Sequence, residues 1–416
     1  MQDAALRLPS TAPGGVTAGV DWARDDHAVA IVDGTGSTVE RFTVEHTDAG
    51  LGELIRRLRG AGVGEVAIER PDGPIVDALL AAAMTVVVIS PNQLKNLRGR
   101  YGSAGNKDDR FDAFVLADVL RTDRTRLRAL APDSPATVTL RASCQARKDL
   151  IAHRIALTNQ LRAHLQRVFP GAVGLFAELD SPISLRFLAR FDCQDRADWL
   201  SPRRLAAWLR SVGYCGRRDP AVLHAHLASA PRGTTGEHGS AAAHITRSLL
   251  SVLTSIVEQI KTLSEQISEQ LDLHTDAHIF TNLPRSGTVR AARLLAEIGD
   301  CRARFPTPES LACLAGAAPS TRKSGKLTIV SFRWSADKQL RDAICDFAAD
   351  TRHANPWAAK LYHDAIALGH DHPHAVRILA RAWLYVIWRC WQDHLPYDPA
   401  KHRALQAVLA ADHQPA

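Results

Sequence analysis

No two of the seven cysteines form a C-x-x-C pair, and their number is odd. Neither a disulfide framework nor a zinc knuckle is indicated, and a reducing cytoplasm fits. Long apolar runs are also missing. "ALLAAAMTVVVI" falls well short of the roughly twenty residues a membrane span needs, and no basic region followed by an apolar core opens the chain. The sequence therefore reads as a soluble protein with no membrane partner and a disordered start over residues 1–15. A large charge excess is absent as well: 51 Lys and Arg stand against 44 Asp and Glu, net +7, with a pI near 9.2.

At 416 residues, 46% hydrophobic and 23% charged, the chain is long enough for two or three domains. Its basic residues are concentrated. Val138 to Val168 holds six Arg or Lys against one acid, and Ser320 to Arg341 again six against one. A surface that binds phosphates requires such clustering.

The stretch "NKDDRFDAFVLADVLR" sets Asp109 and Asp112 three apart, with Phe111, Val115 and Val119 four apart behind them. If helical, it carries both carboxylates along one edge of a packed helix. Taken alone, acids in a first turn offset the helix dipole. What precedes this helix gives the acids another meaning. "VTAGVDWA", "HAVAIV" and "TVERFTV" read as a three-strand meander, "DAGLGELIRRLRG" as a helix, and "EVAIE" as a buried strand ending at Glu69. "PIVDALLAAA" is helical, and "TVVVIS" is a further buried strand before the acidic helix.

That order, βββαβαβα, matches a ribonuclease-H-like α/β fold, in which Asp21, Glu69, Asp109 and Asp112 converge. Four ionised carboxylates do not stay together unaided, since one pair at 4 Å repels by roughly 4 kcal/mol at an effective dielectric of 20. A divalent cation resolves the conflict, and oxygen-only ligands favour Mg²⁺ or Mn²⁺ over zinc. Actin-like sugar kinases share the fold, and "DGTGS" resembles their phosphate turns. They repeat the domain, however, and no second meander follows residue 130.

Residues 131–275 read as helical. "RASCQARKDLIAHRIALTNQLRAHLQRVF" has a basic face. In the next long helix Ile245, Leu249, Val252, Ile256, Ile260, Leu263, Ile267 and Leu271 step by 4, 3, 4, 4, 3, 4, 4, an eleven-residue repeat. Either an antiparallel helix of the same chain or another protomer can cover that stripe. Beyond it, "FTNLPRSGTVRAARLLAEIGD" has the form of a degenerate helix-hairpin-helix, whose turn offers N–H groups to a DNA phosphate. "STRKSGKLT" places Ser324 and Gly325 in a loop among Arg322, Lys323 and Lys326, with Arg333, Lys338 and Arg341 following. "HDHPH" and "HAH" read as solvated, and "ARAWLYVIWRCW" as core.

From "GVDWARDDHAVAIVD" through "IERPDG" and "KDDRFDAFVLADVLR" to "RFPTPESLACLAGAAPSTRKSG" and "QLRDAICDFA", the chain resembles the DEDD transposases of insertion sequences, related to the Piv and MooV recombinases. It departs from them in having "PRSG" at a turn usually "PGIG". The resemblance implies a RuvC-like domain over 16–130, a coiled-coil middle over 131–275, a mainly helical transposase domain over 276–400 and a tail over 401–416. It implies that Asp21, Glu69, Asp109 and Asp112 are the metal-binding tetrad and that Ser324 is the nucleophile, with Ser320 its competitor. Arg322, Lys323, Lys326, Arg333, Lys338 and Arg341 would hold nucleic acid. DNA, a structured bridge RNA that pairs with donor and target, and further copies of the chain in a dimer or tetramer are the implied partners, in a bacterial cytoplasm at the nucleoid. A Holliday-junction-type nuclease using water, and a nucleic-acid-binding scaffold without catalysis, are the other functions the residues allow.

Overall fold

The computed structural model describes residues 6–101, 108–325 and 327–412. Lys326 lies outside the described residues. The chain forms two compact units, Met1–Asp133 with Cys301–Pro306, and Ser134–Asp300 with Thr307–Ala416.

The first unit is a mixed sheet with helices. Its strands are β1 (Val16–Trp22), β2 (Asp26–Asp33), β3 (Thr38–Glu45), β4 (Glu65–Ile68) and β5 (Thr85–Val88). Its helices are α1 (Asp48–Gly60), α2 (Pro74–Ala81), α3 (Pro91–Arg98) and α4 (Asp109–Thr122). The spatial order is β3-β2-β1-β4-β5; β1, β2 and β3 pair antiparallel, while β1 with β4 and β4 with β5 run parallel. This architecture is consistent with the ribonuclease-H-like fold expected.

Side-chain alternation divides the sheet into two faces. Ala18, Val20, Val66 and Ile68 join Leu54, Leu58, Ile75 and Leu79 of α1 and α2 in one core. Ala67 faces the other way, packing with Val115, Leu116, Val119 and Leu120 of α4. Gly19 is what lets α4 lie close. A Cβ there would stand 2.1 Å from the Ala113 carbonyl oxygen and 2.5 Å from the Ala117 nitrogen. Two residues earlier the Thr17 hydroxyl donates to the Ala117 carbonyl at 2.9 Å, fixing the register of helix on strand.

Residues 8–11 make contacts within the first unit. Arg124, 4% exposed, forks onto Glu65 at 2.5 and 2.8 Å and donates to the Pro9 and Thr11 carbonyls at 2.9 and 3.3 Å, while Leu8 packs on the α4 core. A buried guanidinium needs acceptors, and the N-terminal segment supplies two of them.

The second unit is helical. Its middle carries α5 (Pro135–Val168), α6 (Pro182–Arg190), α7 (Gln194–Ala197), α8 (Pro202–Ser211), α9 (Pro220–Ser229) and α10 (Gly236–Asp272). Then come α11 (Ala277–Thr281), α12 (Gly287–Ile298), α13 (Pro308–Leu314), the hairpin β6 (Ser320–Ser324) and β7 (Leu327–Ser331), α14 (Lys338–Thr351), α15 (Pro356–Ala367), α16 (His372–Gln392) and α17 (Arg403–Asp412). Residues 134–300 and 307–416 form one compact unit, in which Leu405 of α17 is buried.

α5 and α10 run antiparallel side by side. Thr137 meets His274 at 2.8 Å, Arg147 meets Ser264 at 2.7 Å, and His164 meets Thr246 at 3.0 Å. α10 is long and apolar enough to cross a membrane. Its buried face, though, serves this pairing. The face differs from the stripe read above: Gly239, Ala243, Thr246, Leu250, Leu253, Ile260, Ile267 and Leu271 are buried, with Val257 and Ser264 half-buried between them. Those positions alternate in steps of 4 and 3, a seven-residue repeat. Ile245 and Val252, expected inside, are 49% and 53% exposed. Near the start of α10, Ala243 and Thr246 rather than Ile245 lie on the buried face.

Candidate active site

The last parallel pair between β1 and β4 is Val20 with Ile68, so Asp21 and Glu69 follow side by side at the carboxyl ends of neighbouring strands. Alternation turns both toward α4, since Gly19 and Ala67 on that face lie two residues earlier. Asp112 enters from the first turn of α4, which the close approach at Gly19 brings onto β1. Asp108 performs the capping, its carboxylate accepting from the Arg110 N–H at 3.2 Å. Asp112 is therefore not needed to start the helix.

Asp112 keeps only 2% of its side chain in water, and Arg98 at the end of α3 grips it with two parallel hydrogen bonds, Nε to Oδ1 and Nη2 to Oδ2, both 2.5 Å. The guanidinium's pKa is raised by that hydrogen bond first, against the opposing effect of burial, and further by the charges of Asp112, Glu69 and Asp21. One cation thus answers three carboxylates. Asp109, one turn earlier, is exposed at the first position of α4, at the rim. Beside the centre, the Arg70 guanidinium stacks 4.6 Å from the Trp22 ring centroid.

Among the described residues no group of three His, Cys, Asp or Glu stands ready to close on an ion. The donor chemistry nevertheless suits Mg²⁺ or Mn²⁺, because the converging groups are all carboxylates and the fold already places a positive charge among them. Arg98 escaped the sequence reading. It lies fourteen residues from Asp112 and carries no local pattern that separates it from other surface arginines.

Ser324 is not in an open loop but ends strand β6, paired with Leu327 across the turn, and Gly325 takes a positive φ of 55°. Arg322 and Lys323 are exposed on the same strand, and Lys338 is exposed at the start of α14. Ser320 sits at the other end of β6, roughly 14 Å away at about 3.4 Å per residue. Arg333 donates to the Ala318 and Pro319 carbonyls, both at 3.2 Å, and Arg341 stacks 5.0 Å from the Phe332 centroid. Arg377 joins the same ring at 4.9 Å, a partner the sequence did not suggest.

Other motifs serve structure. The arginines of the helix-hairpin-helix stretch pair with carboxylates on α14: Arg285 and Arg290 with Asp350 at 2.9 Å, and Arg293 with Asp342 at 2.6 Å. "HDHPH" starts α16, where Asp371 accepts from the His374 N–H and His372 meets the Tyr362 hydroxyl at 2.8 Å. In "HAH", His224 and His226 pair with the Leu200 and Val173 carbonyls. Trp383 is buried, its indole N–H donating to the Thr351 hydroxyl at 2.9 Å.

Residues 18–170 match a protein family described as "Transposase", and residues 277–363 match "Transposase IS116/IS110/IS902 family". The "Mini-circle putative transposase for IS117" of Streptomyces coelicolor is 30% identical over 95% of this chain and 98% of its own length. The "Insertion element IS900 uncharacterized 42 kDa protein" of Mycobacterium paratuberculosis is 27% identical over 92% of this chain and 98% of its own. "Putative transposase y4uE" of Sinorhizobium fredii is 36% identical over 46% of this chain and 55% of its own. With both halves of the chain matched, and a relative aligned from end to end, the protein belongs to the DEDD transposase family of insertion sequences.

Proposed function

We propose that this insertion-sequence transposase cuts and rejoins DNA through a serine–phosphate intermediate, with Asp21, Glu69, Asp112 and the rim residue Asp109 binding Mg²⁺ or Mn²⁺ and Ser324 acting as nucleophile. The buried pair of Asp112 with Arg98, next to the ends of β1 and β4 where Asp21 and Glu69 follow, is the observation that carries this reading. Carboxylates gathered against their mutual repulsion mark a place built for a cation. The bound ion would offset charge on the phosphate under attack.

Ser324 Oγ loses its proton to water and forms a bond to phosphorus, while the bond from phosphorus to the deoxyribose oxygen breaks and that oxygen takes up a proton. The phosphoserine keeps the energy of the cleaved diester. A second strand's hydroxyl can then reverse the step, so rejoining needs no outside energy source. Arg322, Lys323, Arg333, Lys338 and Arg341 hold the backbone through charge. A structured guide RNA, read by base pairing, and an assembly of two or four copies complete the reading.

The test is a denaturing gel of the protein incubated with labelled element-end DNA and Mg²⁺. A covalent protein–DNA species that disappears in Ser324→Ala supports the serine mechanism. Metal-dependent cleavage without such a species moves the function to a water-using junction nuclease, and the absence of both leaves a binding scaffold. Sequencing of copurifying RNA tests the guide.

A further inference from the structure

At the root of the β6–β7 hairpin lies a cavity of about 340 Å³ lined by Pro319, Phe332, Arg333, His374, Arg377 and Arg381, among others. His374, Arg377, Ile378 and Arg381 stand at i, i+3, i+4 and i+7 of α16 and so present one face to it. Arg341 reaches the same Phe332 ring from α14, and its Nη1 is buried without a hydrogen-bond partner. Arg333, Arg341, Arg377 and Arg381 have no carboxylate within 4 Å among the described residues, whereas Arg285, Arg290 and Arg293 in the same unit all pair with aspartates. Beside the cavity Trp334 leaves 83% of its surface in water, edge-on to Phe332 at 5.0 Å.

Arg381 donates to the Tyr385 hydroxyl at 3.4 Å and feels the charge of Glu309; guanidinium groups gathered with so little opposing charge favour an anion, and a planar fork is matched to a phosphate. An exposed indole next to that phosphate offers the π-face on which an unpaired base stacks. We propose that this pocket anchors a DNA strand, with one phosphodiester among Arg333, Arg377 and Arg381 and a neighbouring unpaired base on Trp334. This rests on the reading that Ser324 attacks DNA. From the root pair, Ser320 with Ser331, to the tip pair, Ser324 with Leu327, the hairpin rises four residues, about 14 Å. A DNA strand rises about 3.4 Å per nucleotide, so the anchored phosphate lies about four nucleotides from the one at Ser324. The pocket would set the cutting position by measuring along the strand.

The experiment is fluorescence anisotropy of the full-length protein with a labelled single-stranded DNA, the same sequence as RNA, and a duplex, in EDTA so that no cleavage intervenes. Trp334→Ala, at a side chain that supports little packing, should weaken single-stranded DNA binding roughly tenfold and duplex binding less, with Trp334→Phe restoring most of it. Arg377→Gln with Arg381→Gln should weaken DNA binding and reduce the slope of log K against log salt by about one. Ser324→Ala should bind as the parent does. Unchanged affinity and slope in the arginine variant, or RNA bound in preference and losing more in both variants, overturns the anchor. If the arginine variant binds normally while Ser324→Ala loses the covalent species, the anchor falls and the serine mechanism stands; if Ser324→Ala keeps that species while the pocket variants lose binding, the reverse holds.

Discussion

Asp112 and Ser324 are built into the molecule in opposite ways. The aspartate is buried at a helix-on-sheet contact and gripped by a two-pronged arginine. The serine ends a hairpin in which, of the ten strand residues, Ser320 alone is partly shielded. The contrast follows from charge. Carboxylates that must share an ion repel one another before it arrives, so the fold has to hold them against that force. A neutral hydroxyl meets no such opposition, and its strand can stay exposed where a DNA backbone reaches it. On the proposed reading, the metal site is set into a core and the nucleophile is presented at a surface.

The largest test of that difference is a pair of substitutions. Asp112→Ala should lower unfolding stability by about 3 kcal/mol, the low end for breaking a buried ion pair because Arg98 retains 24% of its side-chain exposure. Ser324→Ala should stay within about 0.5 kcal/mol of the parent. Both should abolish strand exchange. Urea unfolding alongside a strand-exchange assay separates them, and equal losses of stability would end the comparison.

Next in size is Gly19→Ala. The added Cβ meets backbone atoms of α4 that cannot rotate away, so about 1–3 kcal/mol should be lost and α4 displaced from β1. Recombination should fall with it although no carboxylate has changed. Normal activity in a destabilised Gly19→Ala protein would show that the centre tolerates a shifted helix.

The order of strands and helices in the first unit was legible beforehand, for identifiable reasons. The extended runs ending near Asp21 and Glu69 and the helical period after Asp109 are readable, and they led to the order of elements; grouping Asp21, Glu69, Asp109 and Asp112 came from the fold that this order matches. Arg98 could not be read this way, because its pairing depends on how α3 is aimed. The seam of α10 was misread because Thr246 and Ser264 meet α5 while Ile245 and Val252 lie outside. The β6–β7 hairpin was read as a loop since its first strand, "STRKS", is polar and basic rather than alternating. Pro9 and Thr11 are held by Arg124, more than a hundred residues away.

A smaller effect sharpens the metal side. Arg98→Met removes the cation that balances Asp21, Glu69 and Asp112, and the protein in EDTA should lose about 1–2 kcal/mol, as when a buried charged partner is left unanswered. Mg²⁺ should then raise the melting temperature more in the variant than in the parent, because the ion no longer competes with a guanidinium and stabilises by RT ln(1 + [L]/Kd). Thermal melts with and without Mg²⁺ read this directly. No Mg²⁺ response in either protein would remove the metal from this centre.

The smallest expected change in stability carries the finest distinction on the hairpin. Ser320 and Ser324 lie on one strand, four residues apart, so both side chains point to the same face but about 14 Å from each other. That separation is too large for one to substitute for the other at a fixed phosphate. The Ser320 carbonyl accepts from the Ser331 hydroxyl at 3.3 Å at the root, whereas Ser324 lies at the tip beside Arg322, Lys323 and the positive-φ glycine. Each serine changed to alanine should leave the melting temperature within the scatter of the measurement. Ser320→Ala should retain the covalent protein–DNA species on a denaturing gel, and Ser324→Ala should lose it. The opposite outcome would move the nucleophile to the root of the hairpin, next to the arginine pocket, and survival of the species in both would take the covalent step away from this strand altogether.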